Sequence, residues 1–154
     1  MNYWLMKTEP STFGVDDLAA KPAKTAMWDG VRNYQARNML RDDFKKGDQA
    51  LLYHSSAAVV GVAGIMQVVR TAYPDPTAFD KKSDHYDAGS NSKNPRWYVV
   101  DVQLKRRLKR VITLDELRAH ETRELDGMLL LKRGNRLSIT PVSAAHWKFV
   151  LSLE

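Results

Sequence analysis

The chain has 154 residues, the length of one ordinary domain, so we predict a single domain over residues 1–154. Its 24 Lys and Arg residues exceed its 18 Asp and Glu residues by six, and 44% of the residues are hydrophobic, which excludes a disordered acidic tail because enough apolar surface is available to offset the entropy of ordering. The chain contains no cysteine, which excludes disulfides, thiolate nucleophiles, iron–sulfur clusters and cysteine-based zinc sites.

Nothing in the sequence indicates export or membrane insertion. The N-terminal residues reach the charge of Lys7 after a few apolar positions, unlike a signal peptide. No apolar stretch approaches the roughly 18 residues that a membrane-spanning helix needs. We therefore expect a cytoplasmic protein with no membrane partner, and its positive charge favours encounters with polyanions such as nucleic acid.

The N-terminal third of the chain predicts one strand and two helices. Alternating hydrophobicity over residues 3–7 predicts a half-buried strand. A short helix is expected within residues 14–22, where two aspartates suit its positive N-terminal end. Apolar residues recur at helical spacing over 34–44, which predicts the first long helix, with Asn33 as its N-cap.

The middle of the chain predicts strands separated by one long loop. Residues 50–54 and 59–69 are β-rich, and the second run is apolar on both faces, so it should be covered on both sides. Residues 80–95 are polar and too long for a tight turn, which predicts a mobile or functional loop. Alternation resumes at Arg96 and predicts a strand whose main apolar stripe excludes Trp97.

The C-terminal part completes an α+β pattern. Thr113–Glu116 has capping-box spacing before a short helix, residues 137–141 predict a last strand, and Ser143 caps a terminal helix. Strands with short peripheral helices and no regular βαβ succession indicate a closed or nearly closed mixed β-barrel. The basic run 105–110 follows a predicted strand as an exposed hairpin or ridge, and it is either a solvated edge or a phosphate track.

Standard signatures of enzymes and cofactor sites are absent. There is no phosphate-loop, dinucleotide-binding, zinc-protease or nucleophile-elbow motif. The two glycines of Gly61–Gly64 are better interpreted as part of a sheet than as a phosphate loop. The four histidines are scattered with no second ligand nearby, so we expect no metal and no cofactor.

Residues 28–34 concentrate side chains that can bind a ligand. One interpretation is structural: Trp28 fills the core, Asp29 pairs with Arg32, and Asn33 caps the following helix. The alternative is a recognition pocket, in which aromatic faces stack on a flat ring, polar groups read its edge and an arginine holds a phosphate. The residue types alone leave both interpretations open.

Three further groups are candidate walls of such a pocket. They are Trp97 on its off-stripe face, the strand end Tyr53, His54 and Ser55, and the first-strand residues Lys7 and Glu9. His54 taken alone is better explained as a satisfied histidine at the end of a barrel. Lys7–Glu9 is equally consistent with a salt-bridged strand end.

Several blocks, in this order, resemble the EVE domain family: Tyr3–Pro10, Trp28–Asn38, Gly47–Asp48, Tyr53–Ser55, Tyr73–Pro76 and Arg136–Ser138. They span nearly the whole chain, which is similar to a single-domain bacterial member. Thr140 departs mildly from the family pattern in the last strand, where another polar residue is common.

The resemblance implies a PUA-like fold, a bent barrel-like sheet with peripheral helices, and a non-catalytic reader of modified bases in DNA or RNA. No cofactor is implied. With Tyr53 and Trp97 added from the strand pattern, the expected ligand-binding residues are Lys7, Glu9, Trp28, Asp29, Arg32, Asn33, Tyr34, Tyr53, His54, Ser55, Trp97, Arg136 and Ser138.

In the expected mechanism the protein binds a base and performs no chemistry. An extruded base stacks on Trp28, helped by Trp97 or Tyr53, and single-stranded nucleic acid is favoured because unpairing costs a few kcal/mol. The groups expected to test the polar edge of the base are Asp29, Asn33 and Ser55. The groups expected to hold phosphate are Arg32, Lys7 and Arg136.

The sequence leaves two alternatives to a base-binding function open. A small PUA-like amidohydrolase acting on a modified nucleoside would resemble ASCH-type relatives and use Lys7, Thr8 and Glu9, although Thr8 is expected on the opposite strand face from the other two. A protein-interaction module would instead bind through the basic run, chiefly Arg106 and Arg107.

Overall fold

The computed structural model describes residues 1–154. Its strands and helices, in chain order, are β1 Tyr3–Thr8, α1 Val15–Ala20, β2 Thr25–Met27, α2 Tyr34–Asn38, β3 Gln49–His54, β4 Gly61–Pro74, β5 Tyr98–Thr113, α3 Leu114–Arg118, β6 Ile139–Val142 and α4 Ala144–Ser152. Short 3-10 turns occur at Pro22–Lys24, Pro76–Phe79 and Leu129–Leu131, and a π-helical turn follows α2 at Met39–Asp43.

The six strands form one mixed sheet in the order β2-β5-β4-β3-β1-β6. β1 runs parallel to β3, and the other neighbours are antiparallel. The long β4–β5 pair shifts register at four places, and such bulges bend and twist a sheet. No strand pairing joins β2 to β6, so the sheet curves into an open barrel. The predicted α+β, barrel-like fold is confirmed, in its open rather than its closed form.

Apolar residues cover both faces of this sheet. A cluster of 18 buried residues, including Trp4, Met6 and Trp28, packs on one face, and a cluster of 15, including Leu5 and Trp147, packs on the other. Adjacent residues of β1 therefore enter different clusters, as the alternation of a strand requires. Both helices and strands are positioned by burying one side in one of these two clusters.

The predicted helix caps are present. The Asn33 side chain accepts a hydrogen bond from the Ala36 N–H at 3.0 Å. The Thr113 hydroxyl accepts from the Glu116 N–H at 3.2 Å, while the Glu116 carboxylate accepts from the Thr113 N–H at 3.1 Å, which completes the capping box. Each contact satisfies a backbone N–H that the first helical turn leaves free.

Four element boundaries differ from the sequence prediction. The helix predicted over 34–44 is α-helical only to Asn38 and then widens into the π-helical turn, although Leu40 and Phe44 are both buried as expected. β4 continues five residues beyond the predicted end, to Pro74. The basic run 105–110 lies inside β5 rather than in a hairpin after it. β2 was not predicted, because three residues are too few to establish a period of two.

Candidate ligand-binding site

A cavity of about 770 Å³ lies in the opening of the barrel. β2, at one edge of the sheet, contributes its residues Thr25–Met27 to the wall. Lys7 and Thr8 line the cavity from β1, which lies next to the opposite edge strand, β6. Ser138, which immediately precedes β6, also lines it. The two unpaired edges therefore face a common cavity, which the segment 28–32 and His85 also line.

The structure brings part of the predicted site together. Six of the predicted residues line this cavity: Lys7, Glu9, Trp28, Asp29, Arg32 and Ser138. The other predicted residues do not line it: Asn33, Tyr34, Tyr53, His54, Ser55, Trp97 and Arg136. That any of these side chains binds a ligand stays a prediction.

Trp28 packs in the core and also lines the cavity. Its side chain belongs to the first core cluster and is only 7% exposed, and its backbone N–H donates to the Val100 carbonyl oxygen at 2.8 Å. The exposed remainder lines the cavity. Every fully buried side-chain nitrogen and oxygen has a hydrogen-bond partner. The indole N–H of Trp28 has no protein acceptor, so it is not fully buried and is accessible from the cavity or from solvent.

Arg32 is a clamp whose N–H groups are all engaged. Its Nε and Nη2 donate to the His85 carbonyl oxygen at 3.2 and 2.7 Å. Its Nη1 donates to the Val31 carbonyl oxygen and to the Asp75 carboxylate, both at 3.0 Å, and its Nη2 also donates to the Thr77 hydroxyl at 3.4 Å. A guanidinium has five N–H donors, and all five have protein acceptors here. The predicted phosphate role therefore does not fit the geometry of Arg32.

Asp75 is the buried acceptor of this clamp. Its side chain is fully buried beside Arg32, and it accepts hydrogen bonds from the Gly30 N–H at 3.0 Å and from the Thr77 N–H and hydroxyl at 2.8 and 2.6 Å. Burial raises the pKa of Asp75, but the hydrogen bonds from Thr77, Gly30 and Arg32 outweigh burial and hold that pKa below its usual value. The carboxylate thus stays ionised and ties segment 28–32 to segment 75–77.

His85 reaches the cavity because Arg32 holds its backbone. A Cβ atom added at Gly30, whose φ is +79°, would lie 2.6 Å from the His85 ring. The imidazole Nδ1 is also 3.9 Å from the Asp29 carboxylate. Glycine is therefore required at position 30 both for its backbone conformation and for the close approach of the ring.

Four charged side chains in the cavity wall are free to interact with a ligand. Burial lowers the pKa of the Lys7 ammonium, and no carboxylate is close enough to oppose this shift. Lys21 and Glu9 make no ion pair within the protein, and Asp29 meets only the distant His85 imidazole. The cavity therefore combines an apolar indole wall with unneutralised charges of both signs.

Asn33, Tyr34 and Trp97 form a structure beside the cavity instead of lining it. Asn33 is used as the helix cap, and the Tyr34 and Trp97 rings stack with centroids 4.9 Å apart. The Trp97 indole N–H donates to the Asp87 carboxylate at 2.6 Å, and the Arg32 guanidinium lies 5.3 Å from the Trp97 ring centroid. The aromatic pair therefore packs behind the clamp and joins the 80–97 segment to α2.

The strand end at residues 53–55 is also used structurally. Tyr53 is 3% exposed in the second core cluster, because the alternation of β3 turns it to the opposite face of the sheet. His54 Nε2 accepts from the Val15 N–H at 3.1 Å, and burial lowers the pKa of His54. Ser55 donates from its backbone N–H and its hydroxyl to the Thr8 carbonyl oxygen. His54 is thus the satisfied histidine that its position suggests.

The Thr8 hydroxyl is hydrogen-bonded to a backbone carbonyl and to neither Lys7 nor Glu9. All three residues line the cavity, but the Thr8 hydroxyl donates its proton to the Phe13 carbonyl oxygen at 2.6 Å. A nucleophilic hydroxyl needs a base within hydrogen-bond distance, and neither Lys7 nor Glu9 makes such a contact with Thr8. The amidohydrolase interpretation therefore lacks its essential hydrogen bond.

The basic run in β5 is largely neutralised within the protein. The pairs are Arg106–Glu154 at 2.6 Å, Arg107–Asp16 at 2.8 Å and Arg110–Glu116 at 2.6 Å. The run contributes fewer free charges than its sequence suggests, because three of its cations face carboxylates. It also lies on β5 and contributes no residue to the cavity.

Sequence reasoning missed two residues that build the site. Asp75 stands between two prolines in the block Tyr73–Pro76, and His85 lies in the polar loop over 80–95. A lone acid in a proline-rich turn is the one signal that marks Asp75 in advance. Nothing in the sequence identifies its partner 43 residues away.

The structure contains no cluster of three or more His, Cys, Asp or Glu side chains arranged to hold a metal.

The comparisons with known proteins agree with this architecture. The family model described as EVE domain matches residues 2–153. The chain belongs to the EVE domain family. This EVE domain is 47% identical to thymocyte nuclear protein 1 of Danio rerio, over 98% of this chain and 71% of that protein.

Two solved structures extend the comparison. Human THYN1 in complex with DNA containing 5-methylcytosine superposes on this EVE domain with a TM-score of 0.94, at 45% identity, and the match covers 99% of this chain and 97% of that chain. A Pseudomonas syringae protein superposes with a TM-score of 0.92, at 43% identity, and covers 98% of both chains. No helix of the structure combines the length and apolar character needed to cross a membrane.

Proposed function

We propose that this EVE domain is a non-catalytic reader of modified bases in nucleic acid, and that one extruded base occupies the cavity between the sheet edges. The observation that carries the proposal is the cavity itself, with Trp28 in its wall and unpaired charges around it. The proposal is supported by the human relative, which binds DNA containing 5-methylcytosine at 45% identity over nearly the whole chain.

The cavity has room for a planar heterocycle. Its volume of about 770 Å³ falls in the range of roughly 300–1,000 Å³ that small-molecule pockets occupy. Trp28, which is 7% exposed, supplies that apolar surface to the ring, and a full base–aromatic stack contributes about 1–3 kcal/mol. Asp29 and Ser138 supply polar groups for its edge. A base reaches such a site only outside a helix stack, so single-stranded or flipped bases are the preferred ligands.

Phosphate contacts fall to three lysines and Arg136 rather than to Arg32. The guanidinium of Arg32 has no free donor, whereas Lys7 and Lys21 line the cavity without ion-pair partners. Lys24 lies three residues beyond Lys21, and Arg136 two residues before Ser138, so both are close in sequence to the cavity wall and both are exposed. These four cations provide the positive rim that a phosphodiester backbone needs.

The test compares two tryptophans of equal burial. Trp28 and Trp147 are each 7% exposed, but Trp28 lines the cavity, whereas Trp147 packs in the second core cluster and stacks on Tyr3 at 4.5 Å. Fluorescence anisotropy measures the affinity of each variant for a labelled single strand with one 5-methylcytosine and for the same strand with cytosine.

Wild type is expected to prefer the methylated strand. Trp28→Leu should weaken binding to both strands at least tenfold, and Trp147→Leu should leave both affinities unchanged despite a similar loss of stability. Equal effects of the two substitutions, or an unchanged affinity of a folded Trp28→Leu protein, would place the base somewhere else. A competition series with the matching ribo-oligonucleotide decides between DNA and RNA.

A further inference from the structure

The edge strand β2 leaves the backbone N–H and carbonyl oxygen of one residue, Met27, unpaired in the cavity wall. β2 pairs only with β5, with Ala26 opposite Val102 and Met27 opposite Asp101. The next residue, Trp28, donates its backbone N–H to the Val100 carbonyl oxygen at 2.8 Å. In an antiparallel ladder this bond makes Trp28 and Val100 a hydrogen-bonded pair, so alternate residues along this strand point their N–H and carbonyl groups toward β5.

The groups of Met27 therefore point away from β5. No other strand pairs with β2, and no turn, side-chain or loop hydrogen bond uses the N–H or the carbonyl oxygen of Met27. Met27 lines the cavity, as do its strand neighbours Thr25 and Ala26. A free N–H donor and a free carbonyl acceptor thus lie side by side on the edge of the sheet that borders the cavity.

We propose that the Met27 N–H and carbonyl oxygen read the polar edge of the bound base, and that they select a ring nitrogen acceptor adjacent to an exocyclic amino group. This inference rests on the proposed function and specifies its ligand. A residue that offers its N–H donor and its carbonyl acceptor along a strand edge matches a 4-aminopyrimidine or a 6-aminopurine, whose ring nitrogen accepts and whose amino group donates. Held in the same position and orientation, a 4-keto pyrimidine presents the reverse order, so that donor faces donor and acceptor faces acceptor.

Backbone selection of this kind does not depend on a side chain, so the sequence gives no sign of it. It also explains why the cavity lies at the open seam of the barrel. A closed barrel would pair the β2 edge with β6 and consume both groups in the ladder. The open seam leaves the edge groups available to a ligand, in the same way that an exposed strand edge accepts an added peptide strand.

The test uses the fact that thymine is 5-methyluracil. Thymine and 5-methylcytosine carry the same methyl group and differ only in the hydrogen-bonding pattern at ring positions 3 and 4. Single-stranded oligonucleotides that carry cytosine, 5-methylcytosine or thymine at one position are compared by anisotropy, and the free nucleosides 5-methyl-2′-deoxycytidine and thymidine are compared by calorimetry.

Thymine should bind at least about tenfold more weakly than 5-methylcytosine in both formats, since a site built for hydrogen bonds rejects a ligand that leaves its groups opposed. Equal binding of thymine and 5-methylcytosine, with cytosine weaker, would overturn the edge reading while leaving the reader function intact. Equal binding of cytosine and 5-methylcytosine, with thymine weaker, would support the edge reading and refute a reader of methylation. Absence of binding to all three would overturn both proposals.

A backbone variant supplies a second measurement. Met27→Pro removes the N–H without costing a ladder bond, because proline is tolerated where the N–H of an edge strand faces outward. Met27→Leu keeps the N–H and is the matched control. We expect Met27→Pro to lose most of the discrimination between 5-methylcytosine and thymine, and Met27→Leu to retain it. Full discrimination in a folded Met27→Pro protein would overturn the proposal, and if that variant does not fold the wild-type comparison of the two bases still decides it.

Discussion

Replacement of Arg32 by methionine separates a structural clamp from a phosphate contact. The substitution keeps the aliphatic stem but removes five donated hydrogen bonds, one of them to the fully buried Asp75 carboxylate. Loss of one partner of a buried ion pair costs about 3–5 kcal/mol. The Arg32 side chain is 24% exposed, so we expect the lower end of that range, about 3 kcal/mol of unfolding free energy.

Urea unfolding followed by tryptophan fluorescence measures this loss, and Arg96→Met is the matched control. Arg96 faces Asp87 at 3.7 Å with its side chain 47% exposed, and such surface pairs contribute under about 1 kcal/mol. A difference of about 2 kcal/mol between the two variants is therefore expected. Equal small losses would mean that the contacts of Arg32 do not stabilise the fold.

The salt dependence of binding gives the second readout for Arg32→Met. The affinity of Arg32→Met for a 5-methylcytosine oligonucleotide should be lower at every salt concentration, but the slope of log affinity against log salt should not change. The reason is that Arg32 positions His85 and Gly30 and has no donor left for phosphate. A phosphate contact would instead reduce the slope by about 0.7 for a single strand. A reduced slope with unchanged stability would refute the clamp.

Three further predictions concern the rim, the cavity wall and the acid stability. Combining Lys21→Gln with Lys24→Gln should reduce the salt slope of single-strand binding by about 1.4, since each neutralised phosphate contributes about 0.7. Gly127→Ala should cost about 1 kcal/mol in urea unfolding, because the φ of Gly127 is +82°. Gly30→Ala should cost more and should alone weaken base binding, since its φ is +79° and an added Cβ would also displace the His85 ring, whereas it meets nothing at position 127. The hydrogen bond from Arg110 lowers the pKa of Glu116 to about 2. The contribution of Glu116 to stability is therefore complete above the unfolded pKa of 4.5 and is lost as the pH falls toward 2. In Glu116→Gln the urea midpoint should consequently fall less steeply between pH 4.5 and 2 than in wild type.

Each of these predictions has an outcome that contradicts it. A double Lys45→Gln, Lys46→Gln variant removes the same charge away from the cavity and should leave the slope close to that of wild type, so equal changes in the two double variants would exclude a local phosphate contact. Equal binding by the two glycine variants would mean that the His85 ring has no part in the site. If the urea midpoint of Glu116→Gln falls with decreasing pH as it does in wild type, other carboxylates are responsible for that fall.

Local signals made much of the fold predictable from the sequence. The Asn33 cap, the capping box at Thr113 and the alternation of β1 each depend on residues within a few positions of one another, and all are present. β2 could not be predicted, because its three residues form a strand only through pairing with β5. The length of β5 was also missed, because its charged segment pairs with Asp16 and Glu154, which are distant in sequence, as well as with the nearby Glu116.

The candidate site was less predictable for a related reason. The segment 28–34 is recognisable because its residue types are chemically unusual together, and its residues 28–32 line the cavity whereas Asn33 and Tyr34 do not. The roles within it depend on contacts across more than 40 residues of sequence, such as Arg32 with Asp75 and with His85. Tyr53 was assigned to the pocket from its place at a strand end, whereas the face to which it points is decided by sheet packing.

The position of β1 in the sheet constrains how the protein folds during synthesis. β1 is an interior strand, parallel to β3 on one side and antiparallel to β6 on the other, although it is formed from residues 3–8. One side of β1 thus stays unpaired until Ile139–Val142 has left the ribosome, and pairings of such sequence separation close slowly. A nascent chain shorter than this exposes a hydrophobic strand edge that is prone to aggregation. We therefore expect nonsense truncations before β6 to yield insoluble protein rather than a smaller folded one.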